Sequence, residues 1–349
     1  MPIASRAPTL RQLARRLRLS VATVSEALRD IPRVSATTRA RVQRAAAQAG
    51  YERNALLGAA LSAVRRARHR HYRGTLALID TDDANHAQYV LFHQAIVAGA
   101  EERAQELGFQ TELFWIGSRA PALPLTRLPG ILHARGIGGA VLLPFNAAQD
   151  FGDFDFKRLA AVQMDHCLLR PRLHTVMPDH YLSMHGALTQ LAARGYRNPG
   201  LCLEERKDTR VKNKWSAAFH SFHGGRAPAL VAPKIGRAEF LAWFARHRPD
   251  AIVAHRQEIM DWLASAGFAV PTQVGFFNLN LTERLAPCAG LDLGPQRLGA
   301  AAIETVVAML HRHERGVPTH PYTIALEAVW HDGPTLRDGA TAAPANTPP

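Results

Sequence analysis

Residues 9–51 read TLRQLARRLRLSVATVSEALRDIPRVSATTRARVQRAAAQAGY, and this one stretch spells three short helices. Thr9 takes an N-cap position with Gln12 three residues on, the pairing of a capping box. Leu10, Leu13, Ala14 and Leu17 then fall at i, i+3, i+4 and i+7, which makes one apolar stripe. Ser20 caps a second helix running from Val21 to about Arg29. Only Arg18 and Leu19 separate the two, so they must cross sharply, as in a helix-turn-helix. Pro32 closes that region. Ser35 starts a third helix whose inner face is Val42, Ala45, Ala46 and Ala49, and Gly50 stops it.

The charge points to the partner of this bundle. The chain has 349 residues and a formal net charge of +13. Residues 1–73 hold 16 arginines, no lysine and three acids (Glu26, Asp30, Glu52), whereas the remainder has equal numbers of basic and acidic residues. The whole excess therefore sits in the first fifth of the chain, and the usual partner of such a module is a polyanion. In a helix-turn-helix the second helix enters the major groove and offers its N-terminal residues to base edges. With Val24 and Leu28 inward, Val21, Ala22, Ser25, Glu26 and Arg29 face out. Arg6, Arg11, Arg15, Arg16, Arg33 and Arg39 are available for phosphates, which fix register without reading sequence.

The same residues resemble the headpiece of the LacI/GalR family of bacterial transcription regulators. The most specific piece is Leu19-Ser20-Val21-Ala22-Thr23-Val24-Ser25, followed by Val34-Ser35, Thr38-Arg39 and Gly50-Tyr51. The resemblance implies a DNA-binding set of Thr9, Ser20, Val21, Ala22, Thr23, Ser25, Glu26, Arg29, Arg33, Ser35, Arg39, Asn54 and Leu61. It also implies a hinge helix after Asn54 that folds on DNA and presses a leucine into the minor groove. The family's leucine spacing lands on Ala60, with Leu61 one residue later, so the register stays open. Two departures bear on recognition. Arg18 stands where the family has a turn glycine, and a left-handed arginine there costs about 1 kcal/mol. Glu26 stands where an arginine is common. A carboxylate accepts from cytosine N4, while small apolar residues such as Val21 and Ala22 meet a thymine methyl. Either Glu26 reads a base in this way, or it is a solvated neighbour of the DNA and Arg29 reads. The arginines of Arg65–Arg73 either track phosphates or form a solvated tether.

After Gly74 the pattern changes to short apolar strands alternating with helices. Strands are predicted at Thr75–Asp80, Gln110–Ile116, Ala140–Leu143 and Ala160–Met164, with helices at Tyr89–Leu107 and before Gly136. A second series follows: helix Tyr181–Arg194, strand Leu201–Glu204, helix Lys214–Phe222, strand Ala251–Ala254, helix Glu258–Gly267 and strand Val274–Phe277. This alternation predicts two doubly wound lobes with parallel sheets. Ligands of such folds sit beyond the carboxyl ends of the strands. That rule selects Asp80, Asp82, Phe145, Asn146, Asp165, His255, Arg256, Asn278 and Asn280, and Asp292 joins the candidate set. The family landmarks Arg135–Val141, Ala193–Arg197, Pro249–Ile252, Ala266–Pro271 and Leu298-Gly299 extend the resemblance. They imply an effector domain similar to periplasmic sugar-binding proteins and a homodimer on a near-palindromic operator. By the same resemblance Arg210 and Trp215 join the effector set. The family's Asn-Asp after strand Ala251–Ala254 is His255-Arg256 here, so the implied effector is a sugar or a sugar acid.

The expected organisation is a headpiece at 1–53, a hinge and basic linker at 54–73, a bilobal effector and dimerisation domain at 74–337 and a disordered tail at 338–349. Other classes lack their signatures. There is no Walker loop, no G-x-G-x-x-G, no H-E-x-x-H and no G-x-S-x-G, so no enzyme, cofactor or metal site is expected. A transport module would share the bilobal fold but has no use for the headpiece. No run approaches the roughly 20 apolar residues of a membrane span, and no secretory h-region is present, so the expected location is the cytoplasm. Cys167, Cys202 and Cys288 are odd in number and far apart, and are expected as buried, reduced thiols.

Overall fold

A computed structural model of the chain describes residues 10–28, 34–49, 73–81, 91–116, 123–145, 148–283 and 286–338. It divides into two compact units, Met1–His71 and Tyr72–Pro349.

The first unit contains α1 (Leu10–Leu17), α2 (Val21–Ala27) and α3 (Ala36–Gln48). Its core is small: Leu13, Ala14, Val24, Ala27, Val34, Val42 and Ala46 are buried together. Ala27 is the second fully buried residue of α2, whereas Leu28, expected inward, is only partly buried. The α1 terminus explains the tight turn. Arg18 has φ 52°; its N–H donates to the Arg15 carbonyl at 3.2 Å, and the Leu19 N–H donates to the Ala14 carbonyl at 3.1 Å. These are the two bonds of a Schellman closure, with arginine in the place glycine usually holds. Ser20 Oγ then accepts from the Thr23 N–H at 3.0 Å, and Ser35 Oγ accepts from the Thr38 N–H at 3.3 Å. Both helices are thus capped by the serines the sequence indicates.

In the second unit the strands are β1 (Thr75–Asp80), β2 (Gln110–Trp115), β3 (Gly139–Leu142), β4 (Gln149–Asp150), β5 (Ala160–Met164), β6 (Leu168–Arg170), β7 (His174–Pro178), β8 (Pro199–Glu204), β9 (Ala229–Ala232), β10 (Ala251–Ala254), β11 (Gly275–Asn278), β12 (Ala289–Asp292), β13 (Thr323–Leu326) and β14 (Val329–His331). The helices are α4 (Leu91–Glu106), α5 (Leu128–Ala134), α6 (His180–Ala193), α7 (Glu205–Thr209), α8 (Lys214–His223), α9 (Arg237–His247), α10 (Ile259–Ser265) and α11 (Pro295–Arg312). One lobe carries a sheet in the order β2-β1-β3-β5-β7-β13, the other β9-β8-β10-β11-β12-β14, and β4 pairs with β6. All recorded pairings are parallel except β12 with β14. Continuous apolar runs such as Ala160–Met164, buried at every residue, fit sheets covered on both faces.

The two lobes are not two successive halves of the chain. The chain crosses after β7, returns after β12 to lay α11 and β13 on the first lobe, and crosses a third time to β14. The alternation names no element beyond Phe277, nor β7, β9 or α9. The landmark pair Leu298-Gly299 falls on α11, where Gly299 lies against the Ile96 carbonyl of α4 and Gly99 lies against Gln296. The three crossings are laced together. The Asp179 N–H donates to the Leu326 carbonyl at 2.8 Å, the Ala328 N–H to Ser183 Oγ at 3.0 Å, and Arg297 Nη2 to the Glu327 carbonyl at 3.1 Å.

Cys167, Cys202 and Cys288 are buried thiols outside any disulfide, and burial pushes the Cys167 and Cys202 thiols up. Among the described residues no helix is long and apolar enough to cross a membrane, and no three His, Cys, Asp or Glu side chains are placed to hold a metal.

Candidate functional site

In the headpiece, Ser20, Thr23, Glu26, Ser35 and Arg39 lie within the described residues: Ser20, Thr23, Ser35 and Arg39 at or near the N-terminal ends of α2 and α3, and Glu26 in the last turn of α2. Val21, Ala22 and Ser25 stand on α2, with their side chains outside the described part. Thr9, Arg29, Arg33, Asn54 and Leu61, with the hinge helix and the basic linker up to Tyr72, lie outside the described residues, as do Gly50 and residues 339–349 of the tail. Arg15 and Arg16 are exposed and suited to phosphates. Arg39 is half-buried, and its Nη2 donates to the Val34 carbonyl at 3.1 Å. That bond holds the start of α3. Arg41 in turn donates to the Leu17 carbonyl, an orphan acceptor at the α1 end.

In the effector domain, strand ends from both lobes converge on a cleft. Asp165 follows β5 with φ 54°, is buried, and leaves Oδ1 without a partner. His166 stands beside it with Nε2 also unpartnered. His180 opens α6 at the first crossing; it is 3% exposed, and its Nδ1 has no partner. Its ring meets Trp215 of the second lobe edge-on, with centroids 4.8 Å apart, and Trp215 meets His255 at 5.9 Å. Arg210 closes α7 with Nε buried and unpartnered. Lys214 opens α8, and its Nζ lies 3.3 Å from the Met177 sulfur, a weak acceptor.

Burial and the neighbouring charges act together on the three histidines. Burial lowers His180 to about 4; Lys214, Arg210 and His166 push the same way and Asp165 opposes them. Burial likewise holds His255 well below the ordinary histidine range, helped by Lys207, Arg210 and His180. His166 is lowered by burial and by Lys214 and Lys212, against Asp165. All three rings are therefore neutral at pH 7, and each can donate one N–H and accept at the other nitrogen.

Of the candidates from sequence, the structure brings Asp165, Arg210, Trp215 and His255 together. It places others elsewhere. Asp80 is fully buried with its carboxylate 2.8 Å from His93 Nε2, so it ties β1 to α4. Phe145 belongs to the first lobe's aromatic core, 6.0 Å from Phe151. Arg256 is neutralised: Nη1 lies 3.1 Å from Glu204 and 2.9 Å from the Ile235 carbonyl, Nε lies 3.5 Å from Glu258, and the guanidinium covers Trp262. Asn278 Oδ1 accepts from the Asn280 N–H and Asn280 Oδ1 from the Thr282 N–H, at 2.8 and 3.2 Å, so both amides fold the loop after β11. Asp292 accepts from the Gly294 N–H at 2.8 Å and shapes the second crossing. Asp82 and Asn146 lie outside the described residues. Sequence reasoning missed His166, His180, Lys212 and Lys214. The charged run after β8 (EERKDTRVKNK, residues 204–214) is a strand-end signal; His180 was hidden because β7 before it carries no alternation.

Residues 9–54 match the family model of bacterial regulatory proteins, lacI family, and residues 188–330 match that of the periplasmic binding protein-like domain. Together these span more than half of the chain. The chain belongs to the lacI family of bacterial regulatory proteins. As a member it is a DNA-binding transcription regulator, with a helix-turn-helix headpiece and an α/β effector domain. No curated protein matches the chain. Among solved structures, a complex of the transcriptional regulator CelR with cellobiose is 18% identical, covering 94% of this chain and 99% of that one, with a TM-score of 0.55. A lac repressor dimer bound to operator and the anti-inducer ONPF is 15% identical over 95% and 100%, with a TM-score of 0.54. A LacI-family regulator from Rhizobium etli is 14% identical over 75% and 98%, with a TM-score of 0.57. At these identities the likeness is one of fold.

Proposed function

We propose that this lacI-family chain is a dimeric, ligand-responsive repressor in the cytoplasm, that it carries no catalytic activity, and that it reads a near-palindromic operator. The observation that carries the reading is the capped helix-turn-helix. The Arg15–Leu19 closure turns the chain sharply, and Ser20 satisfies the first turn of α2 with its own hydroxyl. Val24 and Ala27 lock that helix into the core, which leaves its N-terminal face to enter a groove. A two-fold protein needs matching half-sites, hence the near-palindrome. The effector is a sugar-like molecule in the cleft between the lobes, in keeping with the cellobiose and ONPF complexes of the similar structures. It acts by favouring one arrangement of the lobes; equal affinity for both would shift nothing.

The test is a gel shift with duplex taken from upstream of the protein's own gene, repeated across a salt series. A specific complex is expected, weakening about a thousandfold or more between 50 and 200 mM salt if about six or more phosphates are contacted. Absence of a specific complex at every salt concentration rejects the reading.

A further inference from the structure

We infer that the cleft takes a small hydroxylated anion, its charged group held by Arg210 and Lys214 and its hydroxyls by Asp165, His166, His180 and His255. This rests on the cleft being the effector site, and it narrows the effector from sugars at large to those bearing a carboxylate or a phosphate.

The acids around the cleft are committed elsewhere. Asp80 is held by His93, and Asp179 caps α6 by accepting from the Leu182 N–H at 2.9 Å. Asp208 is buried and accepts from the Ser216 N–H at 3.3 Å. Glu204 is held by Arg256, and Asp292 by the Gly294 N–H. Asp165 is left. Facing it, Arg210, Lys212 and Lys214 have no carboxylate partner among the described residues. Among the described residues, three cations stand against one carboxylate around three neutral rings, an electropositive set whose buried Arg210 Nε has nothing to donate to.

Two of those cations show the direction of the missing partner. The Nε of Arg210 can only donate, and it is buried with nothing to donate to. The ammonium of Lys214 rests on a thioether, which barely accepts. A sugar hydroxyl would accept from them but leave both positive charges uncompensated, whereas an anionic oxygen accepts and pairs with the charge as well. On the opposite wall Asp165 Oδ1 can only accept, so it suits a ligand hydroxyl; His166 Nε2 and His180 Nδ1 each donate or accept according to tautomer. Anion-binding donors and a hydroxyl-binding acid in one cleft describe an aldonic or uronic acid or a sugar phosphate. Trp215, 1% exposed, orients His180 and His255 edge-on and is a wall of the site, not a stacking platform. Arg256, the base that the sequence offers for this role, is already paired.

The test is thermal unfolding of the full-length protein at pH 7.5, with ionic strength held constant by sodium chloride. The probes are inorganic phosphate, D-gluconate, D-galactonate, D-glucuronate, D-glucose 6-phosphate and the neutral D-glucose and D-galactose. Inorganic phosphate at millimolar concentration is expected to raise the midpoint, since a ligand selective for the folded state must do so. At least one hydroxylated anion is expected to bind ten times more tightly than its neutral parent; the carboxylate and phosphate arms then tell sugar acid from sugar phosphate. The Arg210→Gln and Lys214→Gln proteins are expected to lose the shift, and Arg210→Lys to retain part of it. A shift equal in wild type and both Gln variants means an adventitious ion only and overturns the inference. Stabilisation by a neutral sugar alone overturns it while leaving a ligand-responsive regulator intact. No stabilisation by any probe also overturns it, and operator binding by the same sample then decides separately whether the regulator reading stands.

Discussion

The contact between α4 and α11 makes the sharpest structural prediction, because two glycines sit where the helices touch. A Cβ on Gly99 would lie 2.1 Å from the Gln296 carbonyl oxygen, and one on Gly299 would lie 2.1 Å from the Ile96 carbonyl oxygen. Neither obstacle is a flexible side chain, so each Gly→Ala change must push the helices apart by about 1 Å to restore contact distance. A gap of that size forfeits a quarter to a half of each dispersion contact across it, and the seam includes the buried Ile96, Ala100, Leu298, Ala302 and Ile303. Overpacking of this kind costs about 1–3 kcal/mol, and alanine's better helix propensity returns up to about 1 kcal/mol. With alanine's full return, the expected net loss is up to about 2 kcal/mol for Gly99→Ala or Gly299→Ala. The control is Gly186→Ala in α6, also inside a helix but with nothing within 4 Å of the added carbon, which should gain about 0.5–1 kcal/mol. Urea midpoints of the three proteins measure the signs directly. If Gly99→Ala is stabilised as much as Gly186→Ala, the helices do not meet, and the return of the C-terminal segment to the first lobe is wrong.

Three further outcomes follow from single residues. His180 is held neutral to about pH 4; its folded value lies below its unfolded one, so its contribution is intact above about pH 6.5 and is lost as pH falls towards 4. The loss is bounded at about 3 kcal/mol, and urea midpoints at pH 7.5, 5.5 and 4.5 should fall less steeply in His180→Gln than in wild type; equal slopes would contradict the burial. Arg256→Ala should cost about 1–3 kcal/mol by stranding Glu204 and the Ile235 carbonyl, yet leave effector affinity within about threefold, as calorimetry with the bound probe would show; a tenfold loss would return Arg256 to the ligand. Glu26→Arg should change the preferred base pair at one position of each half-site in selection from random duplexes, and an unchanged preference would exclude Glu26 as a reader.

The headpiece was legible because its signals are local. Ser20 and Ser35 announce their caps, and the spacing of Leu13, Ala14 and Val24 sets the core within a few residues of sequence. The left-handed Arg18 was anticipated from the resemblance, which has a turn glycine at that position. The α/β body was legible in rhythm but not in path. Strands such as Ala160–Met164 stand out as apolar runs, whereas the recrossing of α11 and β13 depends on contacts between residues some two hundred positions apart, as between Gly99 and Gly299. The cleft was half legible for a related reason. The strand-end rule finds positions, but it cannot tell a side chain facing ligand from one already paired, and the pairings of Asp80 with His93 and of Arg256 with Glu204 exist only in the folded chain. His180 entered with β7, a strand whose sequence HTVMP shows no alternation.

In the proposed function, two copies of this chain read DNA through α2 while the cleft senses a ligand. Selection of binding sites from a pool of random duplexes by the full-length protein tests it most directly. Enrichment of one inverted repeat with two half-sites, bound with steep salt dependence, is expected. Recovery of no enriched motif, or of a motif without two-fold symmetry, would contradict it.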